Sequence, residues 1–349
     1  MEQYSKKFIP FHQIESEKVI IVDGLHPRNL VLSHWKGANI HKSIAADTSG
    51  EIVLNAIKTD FPDIDTPLVS ATHFDIDGFV GVFALFYPDL AMEYFEVLNQ
   101  MATIGDFREL DPNNDATETA LKLCCWMNTV EKERFYRPFG EKEEMKLCVE
   151  KFNFFLPFFP RVLTAPDEFK KEWIDEYEEV KVGLSQLASD NNVSKHPDLG
   201  LFIRETSNPI HYYALFSETK GFDIVLSSYS DNRYELECKY TTWIDLASRE
   251  SLPRIDLKPL ADELNKLEQS KFKWKVDKIT DTGPILRLEQ ERLEKADCYA
   301  NPTERKIYSS SIGKSEFIKL LIQFLTKAYE EIEPKQFWTW EEMRTINKN

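Results

Sequence analysis

Three side chains able to hold a cation alternate in one short stretch: His73, Asp75 and Asp77, within Leu68-Val-Ser-Ala-Thr-His-Phe-Asp-Ile-Asp-Gly78. Alternate side chains of an extended backbone point the same way, so the spacing predicts an imidazole and two carboxylates on one patch. With oxygen ligands in the majority, the patch suits a hard divalent cation, Mn²⁺ or Mg²⁺. The apolar run Phe79 to Phe86 that follows predicts a helix. Gly78 is read as the sharp turn into it, and the free N–H groups at its start as donors to a substrate anion. A cation beside such a helix start points to phosphate chemistry.

One motif supplies too few ligands. Asp23 ends the apolar strand Lys18-Val-Ile-Ile-Val22, His34 ends Asn29-Leu-Val-Leu-Ser33, and Asp106 lies in Ile104-Gly-Asp-Phe107. Sites in open α/β sheets collect at the carboxyl ends of strands, and all three residues are expected there. Two cations about 3.5–4 Å apart would use about this many carboxylates and imidazoles. The alternative for each single residue is ordinary: a turn at Asp23-Gly24, a half-buried histidine beside Trp35. In the second half, Arg233, Lys239, Arg249 and Arg254 cluster in sequence. Arg249 and Arg254 are candidates to hold substrate phosphate, because a guanidinium fork matches its oxygens; salt bridges within an acidic protein are the other explanation.

The elements that must position these groups follow from periodicity. The strands at 18–22, 29–34 and 68–77 alternate with a helix over Ser49–Lys58, capped by Asp47, Thr48 or Ser49. A strand is expected at Ala91–Val97, then helices at 117–135, 141–155 and 167–190. Strands at 199–204, 210–216, 222–228, 234–240 and 284–288 and helices at 257–268 and 315–331 complete the chain. Asp190 to Pro197 is the candidate linker. The expected fold class is α/β: a mostly parallel N-terminal sheet with helices on both faces (residues 1–190, metal-binding), then a smaller α+β domain (residues 191–349, substrate-holding).

The formal charge of −16, from 43 basic and 59 acidic residues, disfavours a long nucleic acid and leaves a small phosphorylated or nucleotide substrate. Five cysteines without a CxxC pair fit reduced thiols. The N-terminus lacks the apolar segment of a signal peptide, and no run is long enough to span a bilayer, so the expected setting is cytoplasmic, without membrane contact and compatible with a homodimer. Ile312-Gly-Lys-Ser315 ends like a P-loop but lacks its upstream glycine.

His73-Phe-Asp-Ile-Asp-Gly78 resembles the first motif of the DHH phosphoesterase superfamily, [His/Asp]-x-Asp-x-Asp-Gly running from strand to helix. The resemblance implies manganese binding by His73, Asp75 and Asp77, with Asp106 standing for the aspartate that follows the next strand. It also implies a metal-dependent phosphoesterase acting on oligonucleotides or nucleotide-type substrates. The chain has no Asp-His-His triplet and no Gly-Gly-Gly-His motif, which keeps a catalytically degenerate phosphate-ligand-binding module as the alternative. Asp75-Ile-Asp77-Gly78 also resembles the first motif of haloacid-dehalogenase phosphatases, which would make Asp75 a nucleophile and Asp77 the acid/base. The chain further resembles a bacterial group that carries His-Phe-Asp-x-Asp-Gly and Gly-Asp-Phe, a likeness that implies no activity of its own.

Overall fold

The computed structural model describes residues 6–135, 144–189, 192–290 and 300–348. They form two units, Met1–Glu179 and Val180–Asn349. The fold is α/β in two parts, with a parallel sheet in the first and a mixed sheet in the second.

Unit 1 contains β1 (Lys7–Phe8), β2 (Ile20–Val22), β3 (Leu30–Leu32), α1 (Ser49–Lys58), β4 (Leu68–Ala71), α2 (Ile76–Phe86), α3 (Pro88–Glu93), α4 (Phe95–Phe107), α5 (Ala116–Phe135), α6 (Glu144–Thr164) and the first half of α7 (Lys170–Ser189). Its four strands are parallel in the order β1-β4-β2-β3. Ile20, Ile21 and Val22 are fully buried, as expected of an unbroken apolar run inside a parallel sheet. Helix α1 starts where expected: the Thr48 side chain accepts from the Glu51 N–H at 3.2 Å.

Three expectations for unit 1 need correction. The strand expected at 68–77 ends at Ala71, so His73, Asp75 and Asp77 do not share an extended backbone. The strand expected at Ala91–Val97 is helical, in α3 and α4. Ala91, Leu98, Met101, Ala102 and Ile104 are fully buried, and this inward stripe overrides the local alternation. Helix α6 runs on through Pro157 and Pro160 to Thr164. A proline inside a helix costs about 3 kcal/mol. Offsetting it, Phe152, Phe155 and Phe159 are fully buried, and Phe159 meets Phe79 and Phe83 edge to face at 5.1 and 4.9 Å.

Unit 2 contains β5 (Val193–His196), β6 (Leu201–Thr206), α8 (Tyr212–Leu215), β7 (Ile224–Tyr229), β8 (Arg233–Cys238), α9 (Lys258–Leu267), β9 (Lys273–Val276), β10 (Ile285–Glu289), α10 (Lys314–Ala328) and α11 (Trp340–Ile346). The sheet order is β5-β6-β7-β8-β10-β9, with β6 and β7 parallel and the other neighbours antiparallel. Leu201, Ile203, Ile224, Leu226, Leu236 and Leu286 form one apolar face against Leu260 and Leu264 of α9 and Phe317, Leu321 and Leu325 of α10. The strand expected at 210–216 is the short helix α8, whose start the His211 side chain caps by accepting from the Tyr213 N–H. The expected linker contributes β5, an edge strand; its first two residues, 190 and 191, and with them the domain break placed there, lie outside the described residues. Among the described residues, no helix is long and apolar enough to cross a membrane.

Candidate metal centre

Three of the four parallel strands deliver a ligand-type residue just past their carboxyl ends: Asp23 after β2, His34 after β3 and His73 after β4. Asp75 is the N-cap of α2 and Asp77 lies in its first turn. Asp106 comes from the last turn of α4, on a helix and not after a strand as expected. The six converge. His34 Nε2 lies 3.4 Å from Asp23 Oδ1, 3.4 Å from Asp106 Oδ2 and 3.8 Å from Asp77 Oδ2. His73 Nε2 lies 2.8 Å from Asp75 Oδ2 and 3.2 Å from Asp23 Oδ2. Two triads result, Asp23-His34-Asp77 and Asp23-His73-Asp75, each with its ligand atoms within 4.8 Å of one another. Asp23 belongs to both, one oxygen facing each imidazole.

The backbone is shaped to allow this. Asp23 adopts φ 47, the left-handed region that is strained for a residue with a side chain and tends to persist where the surroundings enforce it. Gly78 is an ordinary helical residue and does not make the expected turn; what it supplies is space. A Cβ there would meet Asp75 Oδ1 at 3.1 Å and the Asp23 Cβ at 3.3 Å. Its N–H donates to Asp75 Oδ1 at 2.8 Å, so this helix start is filled by the chain's own carboxylate.

Both imidazoles are aimed by their second nitrogen. The Asp47 carbonyl lies 2.7 Å from His34 Nδ1 and can only accept, so Nδ1 carries the proton. The Thr72 hydroxyl donates to the Asp23 carbonyl and turns its lone pair toward His73 Nδ1 at 3.1 Å. In the neutral rings each Nε2 therefore presents a lone pair to carboxylate oxygens, an arrangement that requires a proton or a metal cation between them.

Charge is concentrated and poorly hydrated. Asp23, His34 and Asp77 are at most 2% exposed. Burial would lower the His34 pKa, but its hydrogen bond to Asp23 and the charges of Asp77 and Asp23 raise it to about 9. Burial pushes Asp77 up to about 7, with the Asp23 and Asp75 charges adding to the rise and His34 opposing it. Asp106 is driven well above the usual carboxylate range by burial and by the charges of Asp77, Asp75 and Asp23. Asp23 ends below that range because His34, His73 and Ser49 outweigh its burial. Asp106 Oδ2 is buried without any hydrogen bond. An orphaned carboxylate oxygen beside the His34 imidazole and within reach of the charges of three more carboxylates fits a divalent cation. His73 and Asp75, with side chains 24% and 26% exposed, form the side open to solvent.

Sequence reasoning missed the start of α1. Ser49 Oγ donates to Asp23 Oδ1 at 2.7 Å, and the Ser49 and Gly50 N–H groups donate to the two oxygens of Asp77 at 2.9 and 2.7 Å. A Cβ on Gly50 would lie 2.9 Å from Asp77 Oδ1. A Thr-Ser-Gly run opening a helix is the available signal, since it marks N–H groups that a carboxylate can approach closely.

Arg249 and Arg254 are engaged within unit 2. Arg249 grips both oxygens of Asp223, at 2.6 and 3.1 Å. Arg254, 1% exposed, donates to Thr242 Oγ1 and to the carbonyls of Lys239, Ile279, Asp281 and Thr282. Arg249 is thus in a salt bridge and Arg254 in hydrogen bonds to a hydroxyl and backbone carbonyls.

No curated protein and no solved structure matches the chain. One family model matches residues 4–336, that of a family of unknown function, DUF6687. The match takes in the sheet of unit 1, every residue of the candidate centre and most of unit 2, and the chain therefore belongs to the DUF6687 family.

Proposed function

We propose that the chain is a divalent-metal-dependent phosphoesterase that hydrolyses a phosphodiester or phosphoanhydride in a nucleotide-type or short oligonucleotide substrate. The observation that carries this reading is the pair of triads sharing Asp23. Four carboxylates and two imidazoles form an oxygen-rich donor set that favours Mn²⁺ or Mg²⁺ over softer ions. Asp23, His34, Asp77 and Asp106 would hold the inner cation, and Asp23, His73 and Asp75 the outer one. Bound there, the ions would polarise a phosphoryl oxygen and bring the pKa of water toward neutrality.

The chain's own residues supply positioning. Ser49 fixes the rotamer of Asp23, and the Ser49 and Gly50 N–H groups fix both oxygens of Asp77. The Asp47 carbonyl and Thr72 hydroxyl hold the imidazoles with Nε2 inward. Burial of the inner group keeps bulk water away, while the exposed side at His73 and Asp75 receives the substrate. The haloacid-dehalogenase alternative draws less support, because Asp75 caps a helix four residues beyond the end of β4 and its oxygens are taken by Gly78 N–H and His73.

The test is Mn²⁺-dependent hydrolysis of bis-p-nitrophenyl phosphate and of short oligonucleotides, comparing wild type with Asp75→Asn/Asp77→Asn. Turnover in wild type, stopped by EDTA and reduced at least about 10³-fold in the double variant, is expected, a loss of about 4 kcal/mol of transition-state stabilisation. Metal binding without turnover on either substrate would replace the hydrolase with a phosphate-ligand-binding module.

A further inference from the structure

The sheet of unit 2 has two unlike faces. One is the apolar face covered by α9 and α10. The other carries Arg204, Ser227, Tyr229, Glu235, Arg287 and Glu289, all at most 6% exposed. Strand register lines four of them up in one row: Arg204 opposite Ser227, Ser227 opposite Glu235, Glu235 opposite Arg287.

Over most of this face the charges answer one another. Arg305 holds both oxygens of Glu235, at 2.9 and 2.8 Å. Arg287 holds Glu289 and Asp277, each at 2.7 Å.

One end is incomplete. Arg204, 1% exposed, lies with its guanidinium 5.1 Å from the Phe202 ring centre. Its Nη2 donates to Glu218 Oε2 at 2.8 Å, yet its Nε is buried without an acceptor. On the adjoining strand, two residues beyond Ser227, the Tyr229 hydroxyl is also buried, with the Ser227 hydroxyl as its side-chain neighbour but no hydrogen bond of ordinary geometry. Burial and the Glu235 charge push its pKa far up, so it stays a neutral phenol able to donate.

Nε and Nη2 lie on the same edge of a guanidinium, the pair of donors that a carboxylate or phosphate bridges with two oxygens. Glu218 uses one oxygen on one of these donors, and its side chain is 64% exposed. An exposed carboxylate held by a single ion pair is readily displaced. Folds rarely retain a buried cationic N–H without a partner beside a buried phenol that has only one hydroxyl neighbour, and such groups, when present, call for a ligand or ordered water.

We propose that the Nε/Nη2 edge of Arg204, with the hydroxyls of Tyr229 and Ser227, is a binding site in unit 2 for the phosphate or carboxylate group of a small ligand, with Glu218 occupying the edge until that group displaces it. The site uses no residue of the metal centre, so it stands or falls separately from the phosphoesterase reading.

The test is calorimetric titration of inorganic phosphate, and separately of acetate, into the full-length protein after metal has been stripped with EDTA and the chelator removed. Without metal, the carboxylate cluster of unit 1 repels both anions. Wild type is expected to bind at least one of the two, and the stronger identifies the ligand class. Glu218→Ala should tighten that binding roughly two- to fivefold, the size of a lost surface ion pair, with an unchanged circular dichroism spectrum. Tyr229→Phe should weaken it several-fold, and Arg204→Gln should abolish it. If Arg204→Gln fails to fold, Glu218→Ala and Tyr229→Phe still decide. No binding of either anion by wild type or Glu218→Ala, or equal affinities in the two, would overturn the site and leave ordered water as the partner of Arg204 Nε.

Discussion

Unit 1 and unit 2 both bury carboxylates, and the candidate centre of unit 1 treats them in the opposite way from unit 2. In unit 2, Asp223, Glu235, Glu268 and Glu289 have their donors inside the fold. Asp223 takes two hydrogen bonds from Arg249 and one from Thr241. Glu268 takes five, from the N–H groups of Ser270 and Ser311, the hydroxyls of Ser310 and Ser311, and the Trp274 indole. In unit 1, Asp23, Asp77 and Asp106 face one another and His34, and one oxygen of Asp106 has no hydrogen bond. A buried charge without an internal partner is costly, so the comparison marks unit 1 as the part where the proposed cation would relieve unpaired charge.

The largest expected effect is on the satisfied side. Arg249→Ala should destabilise the protein by about 3 kcal/mol, because it leaves Asp223 buried with only Thr241 as donor. Urea unfolding measures this; a loss below about 1 kcal/mol would mean that the pair is not the internal counter-charge described. Next comes the cation. Mn²⁺ at a hundredfold excess over its dissociation constant should raise unfolding stability by about 2.7 kcal/mol. Asp23→Asn should remove most of that gain, since Asp23 belongs to both triads. Equal Mn²⁺ stabilisation of wild type and variant would show that the ion binds elsewhere.

Glu268 sharpens the contrast through pH. Burial would raise its pKa, but hydrogen bonds from Ser310, Ser311 and Ser270 bring it down from 4.5 to about 2. A carboxylate with a lowered folded pKa stabilises fully above its unfolded value, and its contribution is lost as pH falls from about 4.5 to about 2. Glu268→Gln turns one acceptor into a donor facing other donors, and should cost about 2 kcal/mol near pH 7. The gap between wild type and variant should narrow below pH 4.5. A gap that stays constant down to pH 3 would remove the carboxylate from the account.

How much of this was legible in the sequence follows from the range of each interaction. Val19 to Val22 and Leu30 to Leu32 announce strands by composition, and Asp23 and His34 sit where a parallel sheet puts its ligands, so these were readable. The route by which Asp75 and Asp77 converge was not: a cap and a first helical turn replace the extended backbone that the alternate spacing suggested. Asp106 reaches the same cluster from a helix, because the 91–97 segment has a period that only packing against its neighbours decides. Ser49 reaches Asp77 across 28 positions and Arg254 reaches Thr282 across 28, and no local pattern encodes either contact. Local residue type supplied the candidate ligands; contacts distant in sequence supplied their geometry.

The smallest effect is the one whose sign separates the two units. Asp106→Asn removes a negative charge from a site where burial and three neighbouring aspartates already oppose it. Without metal, the variant should be as stable as wild type or more stable by about 1 kcal/mol, since like charges at this spacing repel and an amide can donate to Asp77 or Asp23. With Mn²⁺ the order should reverse, because the variant has lost an oxygen ligand. Glu268→Gln in unit 2 lowers stability in both conditions. Parallel denaturation of the two variants with and without Mn²⁺ reads both signs. A loss above about 1 kcal/mol for metal-free Asp106→Asn would show that Asp106 has a structural partner, and the contrast between carboxylates paired within unit 2 and the proposed cation site of unit 1 would fail at its most exposed point.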